Sequence, residues 1–386
     1  MMGIVLASGC TGGSAPAPSS TSARASTSTS TEPTTASTAP RTTTSTTIAC
    51  DVHLASWPVP RRLAQLLLVG GEFGDLPGSR PAAAAGVGGF VLFGQPAAGS
   101  GPSIHAGIES LLGSARDAGA VAPWMATDEE GGSIARLSDV IGALPSPRTM
   151  AAEWTTAQIE TALTVHGVAM RQLGLSVDLA PVLDTAAATH TIAEEDERSF
   201  SDDPAVAASD GIAFAAGLRG AGILPVAKHF PGFGHASANT DLGPAVAPPL
   251  AQLEAHDLIP FERAIAAGIP TVMVMHASVP GLTGTTPASL SPATYAFLRG
   301  TLHFDGVAMT DSLAAGAITA TGQSEERAAV TAVKAGADMV MIAGDSWSQV
   351  LGALEQQVAS GGLSLARVDA SVARILTVKG FHPCAA

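Results

Sequence analysis

From about Val52 onward, short runs of apolar residues recur along the chain, and all but one close on or near a polar group. Residues 66–70 lead to Glu72, 89–93 to Gly94, 124–127 to Asp128, and 176–180 run on to Asp184. Residues 224–227 end at Lys228 and His229, and 271–275 at His276. Residues 306–309 end at Thr310 and Asp311, and 338–342 lead to Asp345. Runs that are apolar at consecutive rather than alternate positions predict strands buried on both faces, as in a parallel sheet.

Ala-rich stretches separate these runs, for example at 156–173, 206–220, 250–267 and 324–335. Their length predicts helices, and Gly174, Gly222, Gly268 and Gly336 stand where a helix stop is expected. Strand–helix alternation means an α/β protein with a parallel sheet, and eight units predict a single (β/α)8 TIM-type barrel over residues 51–386. A doubly wound open sheet is the alternative. It would normally carry a Gly-rich dinucleotide loop after its first strand. Val69-Gly70-Gly71-Glu72-Phe73-Gly74 is a poor version of one, with no acidic residue placed to hold a ribose.

The texture before the barrel is different. Residues 11–50 are dominated by Ser, Thr, Ala and Pro, which cannot fill a core and predict a disordered tether. Residues 1–10 end in Leu6-Ala7-Ser8-Gly9-Cys10, which resembles a bacterial lipobox, although no basic n-region precedes it. A lipid at Cys10 would make this an extracytoplasmic, surface-anchored protein, with that anchor its one contact with a membrane. Cys50 and Cys384 flank the folded region and could be joined by a disulfide in an oxidising compartment.

Charge narrows the partners. The net charge of -14 argues against nucleic acid or an anionic membrane surface, since both need clustered Lys and Arg. Neutral ligands such as sugars fit, and nothing in the chain calls for an oligomer, so a monomer is expected.

In a barrel the active site lies at the C-terminal ends of the strands, so the closing residues form a site list: Asp128, Asp184, Lys228, His229, His276 and Asp311. Carboxylates facing each other across such a mouth, with Lys and His between them, suit glycoside chemistry. Zinc on His229, His276 and Asp311 is the rival. It would face the competing charge of Lys228, and no His-x-His or His-Glu-x-x-His spacing supports it. No metal and no organic cofactor are expected.

The segment Lys228-His229-Phe230-Pro231-Gly232-Phe233-Gly234 resembles the signature of glycoside hydrolase family 3, and more narrowly its β-N-acetylglucosaminidase branch. Asp128-Glu129-Glu130-Gly131-Gly132, Leu179-Ala180-Pro181-Val182-Leu183-Asp184, Arg198-Ser199-Phe200 and Met309-Thr310-Asp311-Ser312-Leu313 agree in the same order. The resemblance implies a barrel, and an enzyme that removes terminal β-linked sugars by double displacement. It assigns Asp311 as nucleophile and Asp128, Arg198, Lys228 and His229 as sugar-binding residues; Arg136 either joins them or is a plain surface residue, and His276 either faces the sugar or is a satisfied core histidine.

One departure matters. The branch usually carries Asp-Ser-His on the following loop, with the histidine as general acid/base; here Asn239-Thr240-Asp241 stands there. Asp241 takes the histidine position and is the expected proton donor if its pKa is raised. His235 on the same loop is a second option, and loss of the donor a third. The expectation is an exo-acting β-N-acetylhexosaminidase on cell-wall fragments or another glycan. A β-glucosidase on the same barrel and a non-catalytic glycan-binding lipoprotein are the alternatives. Ser133 also replaces an arginine common after the Gly-Gly pair.

Overall fold

The structure, a computed structural model, describes residues 52–186 and 197–384. The lipobox-like Cys10, the Ser/Thr-rich segment and Cys50 lie outside the described residues. Cys384 itself is disulfide-bonded, and its strand Pro383–Cys384 pairs in parallel with Val52–His53, which ties the two ends of the folded unit together.

All eight expected strands form: β1 (Leu67–Glu72), β2 (Gly89–Phe93), β3 (Trp124–Thr127), β4 (Val177–Asp178), β5, β6 (Thr271–Val274), β7 (Val307–Ser312) and β8 (Met339–Ile342). β5 has two segments, Leu224–Pro225 and Ala227–Phe230, separated by Val226. Its first segment pairs with β4 and its second with β6. The neighbours run β5-β4-β3-β2-β1-β8-β7-β6-β5, all parallel, so the sheet closes on itself as a barrel.

Strand alternation sorts the core. Val91, Ala126, Val177, Val226 and Val307 pack inside the barrel with Met273, Met309, Met339 and Met341, whose flexible side chains fill an irregular interior. Residues of the other parity, among them Phe90, Met125, Val272, Ala308 and Val340, pack outward against the helices. At the lower end Asp338, fully buried, is held by Arg299, Arg367 and Arg374.

Two expectations about the elements change. The stretch 250–267 is two helices, Leu250–Ala255 and Ile259–Ala266. His256 leaves the helical region (φ -148°, ψ -77°), which lets the buried Asp257 turn inward to meet Thr185 and His235. β5 also runs on through Lys228 and His229, so both sit in the strand rather than beyond it. The helix stops behave as expected: Gly174 and Gly222 have φ of 95° and 76°, where other residues would be strained. Among the described residues, no helix is long and apolar enough to cross a membrane.

Candidate active site

The inward columns of the barrel continue upward into polar residues. Trp124 and Ala126 are followed at the same parity by Asp128, Val226 by Lys228, and Val307 and Met309 by Asp311. These side chains surround a cavity of about 210 Å3 at the C-terminal ends of the strands. Glu130, Arg136, Arg198, His229, Phe233 and the loop residues Asn239, Thr240 and Asp241 complete its wall. The volume is below that of a drug-sized pocket and suits one sugar ring.

A charged clamp forms one side. Lys228 Nζ lies 2.8 Å from Asp128 Oδ1 and 2.5 Å from Glu130 Oε1. Arg198 holds Glu130 in two-pronged fashion, with Nε 2.7 Å from Oε2 and Nη2 2.9 Å from Oε1. Burial opposes the charge on Glu130, but Arg198 and Lys228 outweigh it and hold the carboxyl far below the usual range. Burial likewise opposes the Lys228 ammonium, and Asp128 and Glu130 outweigh it, so Lys228 stays charged. Arg136 approaches Asp128 at 3.9 Å and lies over the Phe93 ring. Such a row of fixed donors and acceptors fits a ring of hydroxyl groups.

His229 is held from below. Its Nδ1 is 2.7 Å from Asp184 Oδ2, and the same carboxylate accepts the backbone N–H groups of His229 and Phe233. Burial works against a charged imidazole, yet the Asp184 carboxylate outweighs it and raises the His229 pKa. Asp184, which closes the fourth apolar run, therefore lies under the cavity wall and not in it. The peptide joining Lys228 to His229 is cis.

Asp311 and Asp241 carry opposite shifts. Burial penalises the Asp311 carboxylate, but His276, His229, the Ser312 N–H at 2.7 Å and Lys228 together lower its pKa. Asp241 sits at the exposed rim. Desolvation on its inner side, and then the Asp311 charge, raise its pKa. The Asp241 loop is pinned in place: Asn239 Oδ1 accepts the Asp241 N–H, while Gly316 and Ala317 N–H groups donate to the Asp241 and Thr240 carbonyls. Gly316 is needed for that approach, since a Cβ there would lie 2.6 Å from Leu242 C and 2.7 Å from Asp241 O.

Two expected residues are placed elsewhere. His276 has the opposite parity to the cavity-lining Met273 and Met275 and stands behind the wall, 1 % exposed. Its Nε2 donates to the Ser312 carbonyl at 2.8 Å and its Nδ1 meets the Ser289 hydroxyl at 2.7 Å, so it braces the backbone beside Asp311. Of the two readings of His276, a ligand-facing residue or a satisfied core histidine, its burial and its two hydrogen bonds fit the second. His235, the second option for proton donor, is not in the cavity wall; its nitrogens face Asp257 and Asp202. Among the described residues, the side chains grouped closely enough to hold a metal ion are Asp202, His235 and His256, none of which lines that cavity.

The sequence pattern does not single out Glu130 as the hub of the clamp. Its acidic segment is conspicuous, but Glu129 and Glu130 look alike in sequence. Glu129 turns away to the Leu137 N–H and His166.

Comparison with known proteins gives the family and the fold. The model of the glycosyl hydrolase family 3 N-terminal domain matches residues 79–378. A β-hexosaminidase, LpqI, of Mycobacterium tuberculosis is 39% identical over 266 residues, covering 67% of this chain and 68% of that protein. The solved structure of M. tuberculosis LpqI superposes with a TM-score of 0.76 at 35% identity, covering 85% of this chain and 96% of that one. A β-N-acetylhexosaminidase from Beutenbergia cavernae gives a TM-score of 0.78 at 30% identity, covering 84% and 99%.

Proposed function

We propose that this chain, which belongs to glycosyl hydrolase family 3, is a retaining exo-hydrolase that removes terminal β-linked N-acetylhexosamine from a glycan. The observation that carries this reading is the pair Asp311 and Asp241, two carboxylates on one cavity whose environments push their pKa values apart. Such divergence assigns roles: the lowered group is the ionised nucleophile and the raised group is the acid. The similarity to two hexosaminidases supports the sugar class.

In this reading Asp311 attacks the anomeric carbon while Asp241 protonates the departing glycosidic oxygen, which leaves a sugar ester on Asp311. Asp241, now ionised, takes a proton from water. That water opens the ester with a second inversion, so the configuration is retained. Lys228, Arg198, Asp128 and Arg136 hold the outer hydroxyls, and His229 bonds a hydroxyl nearer the reacting carbon. His276 acts from behind the wall, through the backbone beside the nucleophile and through its electrostatic effect on Asp311.

In the same reading the enzyme works outside the cytoplasm, tethered by residues 11–50 behind a lipid on Cys10, with cell-wall fragments as substrate. The disulfide at Cys384 supports an oxidising compartment.

Nitrophenol release from an aryl β-N-acetylglucosaminide by the purified chain tests the function, with aryl β-glucoside as comparator. Turnover of the former with Asp311→Asn at least about 10^3-fold slower supports the assignment. Asp241→Asn is expected to lose roughly 10^2–10^4-fold, least on the most activated leaving groups. A wild type silent on every aryl sugar sinks the hydrolase reading in favour of a glycan-binding protein, a reading that the Asn239 and Asp241 replacements favour.

A further inference from the structure

A second polar cluster lies outside the sugar cavity. His235 comes from the loop after β5, His256 from the break between the two helices that follow, and Asp202 from the segment just past Arg198. One ligand atom from each lies within 4.8 Å of the others. Beneath them the buried Asp257 carboxylate faces both rings on the Nδ1 side. Its Oδ1 is 2.6 Å from His235 Nδ1, and its Oδ2 is 3.6 Å from His256 Nδ1. Thr185 Oγ1 donates to Asp257 Oδ1 at 3.0 Å and fixes that carboxylate.

We propose that Asp202, His235 and His256 bind a zinc-class divalent cation, with Asp257 orienting the His235 imidazole, at a site separate from the catalytic cavity. Three observations carry it. First, His235 Nε2 and Asp202 Oδ1 are 3.2 Å apart, close to the ~3.4 Å edge between neighbouring ligands around tetrahedral zinc with bonds of about 2.1 Å. Second, Asp202 Oδ1 is shielded from solvent and the group facing it is His235 Nε2, so both atoms point into the cluster. Third, a carboxylate on Nδ1 is the arrangement that turns Nε2 of a histidine toward a metal and strengthens it as a ligand.

Two imidazoles and one carboxylate are a borderline donor set that suits zinc, with a fourth position open to water. The helix break at His256 then has a purpose, since a continuous helix would carry His256 and Asp257 away from the loop. The cation would tie the Arg198 segment and the loop leading to Asp241 to the helices outside them. That is a structural clamp, and it takes no part in bond cleavage.

The test is zinc titration of untagged, chelator-treated protein by calorimetry, with metal content measured after gel filtration. One zinc per chain at micromolar Kd or tighter is expected, with Tm raised by roughly 4 °C at a hundredfold excess over Kd. His256→Ala and Asp202→Asn should weaken binding by more than a hundredfold, and Asp257→Asn by about 10–100-fold. Asp311→Asn should bind as the wild type does. Cobalt(II) in the wild type should give the intense visible band of tetrahedral coordination, a readout that does not need any variant to fold. No zinc bound below about 100 μM would overturn the proposal, as would binding that His256→Ala leaves intact or that Asp311→Asn abolishes.

Discussion

Asp184, completely buried, binds His229 three times over: once through its side-chain Nδ1 at 2.7 Å and twice, at 3.1 Å, through its backbone N–H. The imidazole thus reaches the cavity with its inner nitrogen already committed. Replacing Asp184 leaves buried donors without an acceptor, so Asp184→Ala should cost about 3–5 kcal/mol in denaturant unfolding. The His229 pKa is raised, so this pairing gives its full stability below the unfolded value of about 6.5 and loses it as pH climbs through the raised folded value. In Asp184→Asn the His229 resonance should titrate at lower pH than in the wild type. An unchanged titration by NMR would contradict the assignment.

The pH dependence of kcat/KM should be bell-shaped with an acidic optimum. Asp311 must be ionised and its pKa is lowered, so activity rises as pH climbs through a value below the usual carboxylate range. Asp241 must be protonated and its pKa is raised, so activity falls as pH climbs through a value above about 3.9. Asp241→Asn should erase the alkaline limb and keep the acid one. If the alkaline limb survives in that variant, Asp241 is not the proton donor.

Glu130 holds both Lys228 and Arg198, so Glu130→Gln should release two cations that line the cavity. KM should rise by at least tenfold, because both arms of the clamp lose their anchor, while the nucleophile is untouched. Its folded pKa lies below its unfolded value, so its stability contribution is present above about pH 4.3 and fades as pH falls toward the folded value. Acid unfolding should therefore be shallower in the variant than in the wild type. An unaltered KM would show that Lys228 and Arg198 do not contact the sugar.

Gly316 lies outside the cavity, yet the Asp241 loop rests on it. Gly316→Ala should push the loop outward by a few tenths of an ångström or more and lower kcat by about 10–100-fold. The midpoint of thermal unfolding should move little. Wild-type kcat in that variant would mean the loop is not required in its present position.

Much of this architecture is legible in the order of residues alone. Eight apolar runs with Ala-rich segments between them contain the barrel, because a strand buried on both faces has to be apolar at consecutive positions. Strand parity also carries Asp128, Lys228 and Asp311 to one mouth, since side chains of equal parity share a face whatever the distant chain does. Parity equally argues against His276 in the cavity once Met273 and Met275 face inward, but the inward register of β6 is not written in the apolar run Val272-Met273-Val274-Met275.

What only the tertiary structure decided involves partners far apart in the chain. Glu130 rather than Glu129 became the clamp because Arg198 and Lys228 arrive from two other segments, while His166 and Leu137 draw Glu129 away. Asp184 became a support because the Phe233 N–H reaches it across 49 residues. His235 left the cavity because Asp257, freed by a helix break, holds it outside. Local sequence sets which face a residue shows, through backbone sterics and burial. Which charge meets which depends on long-range closure of the barrel, and no local pattern encodes that.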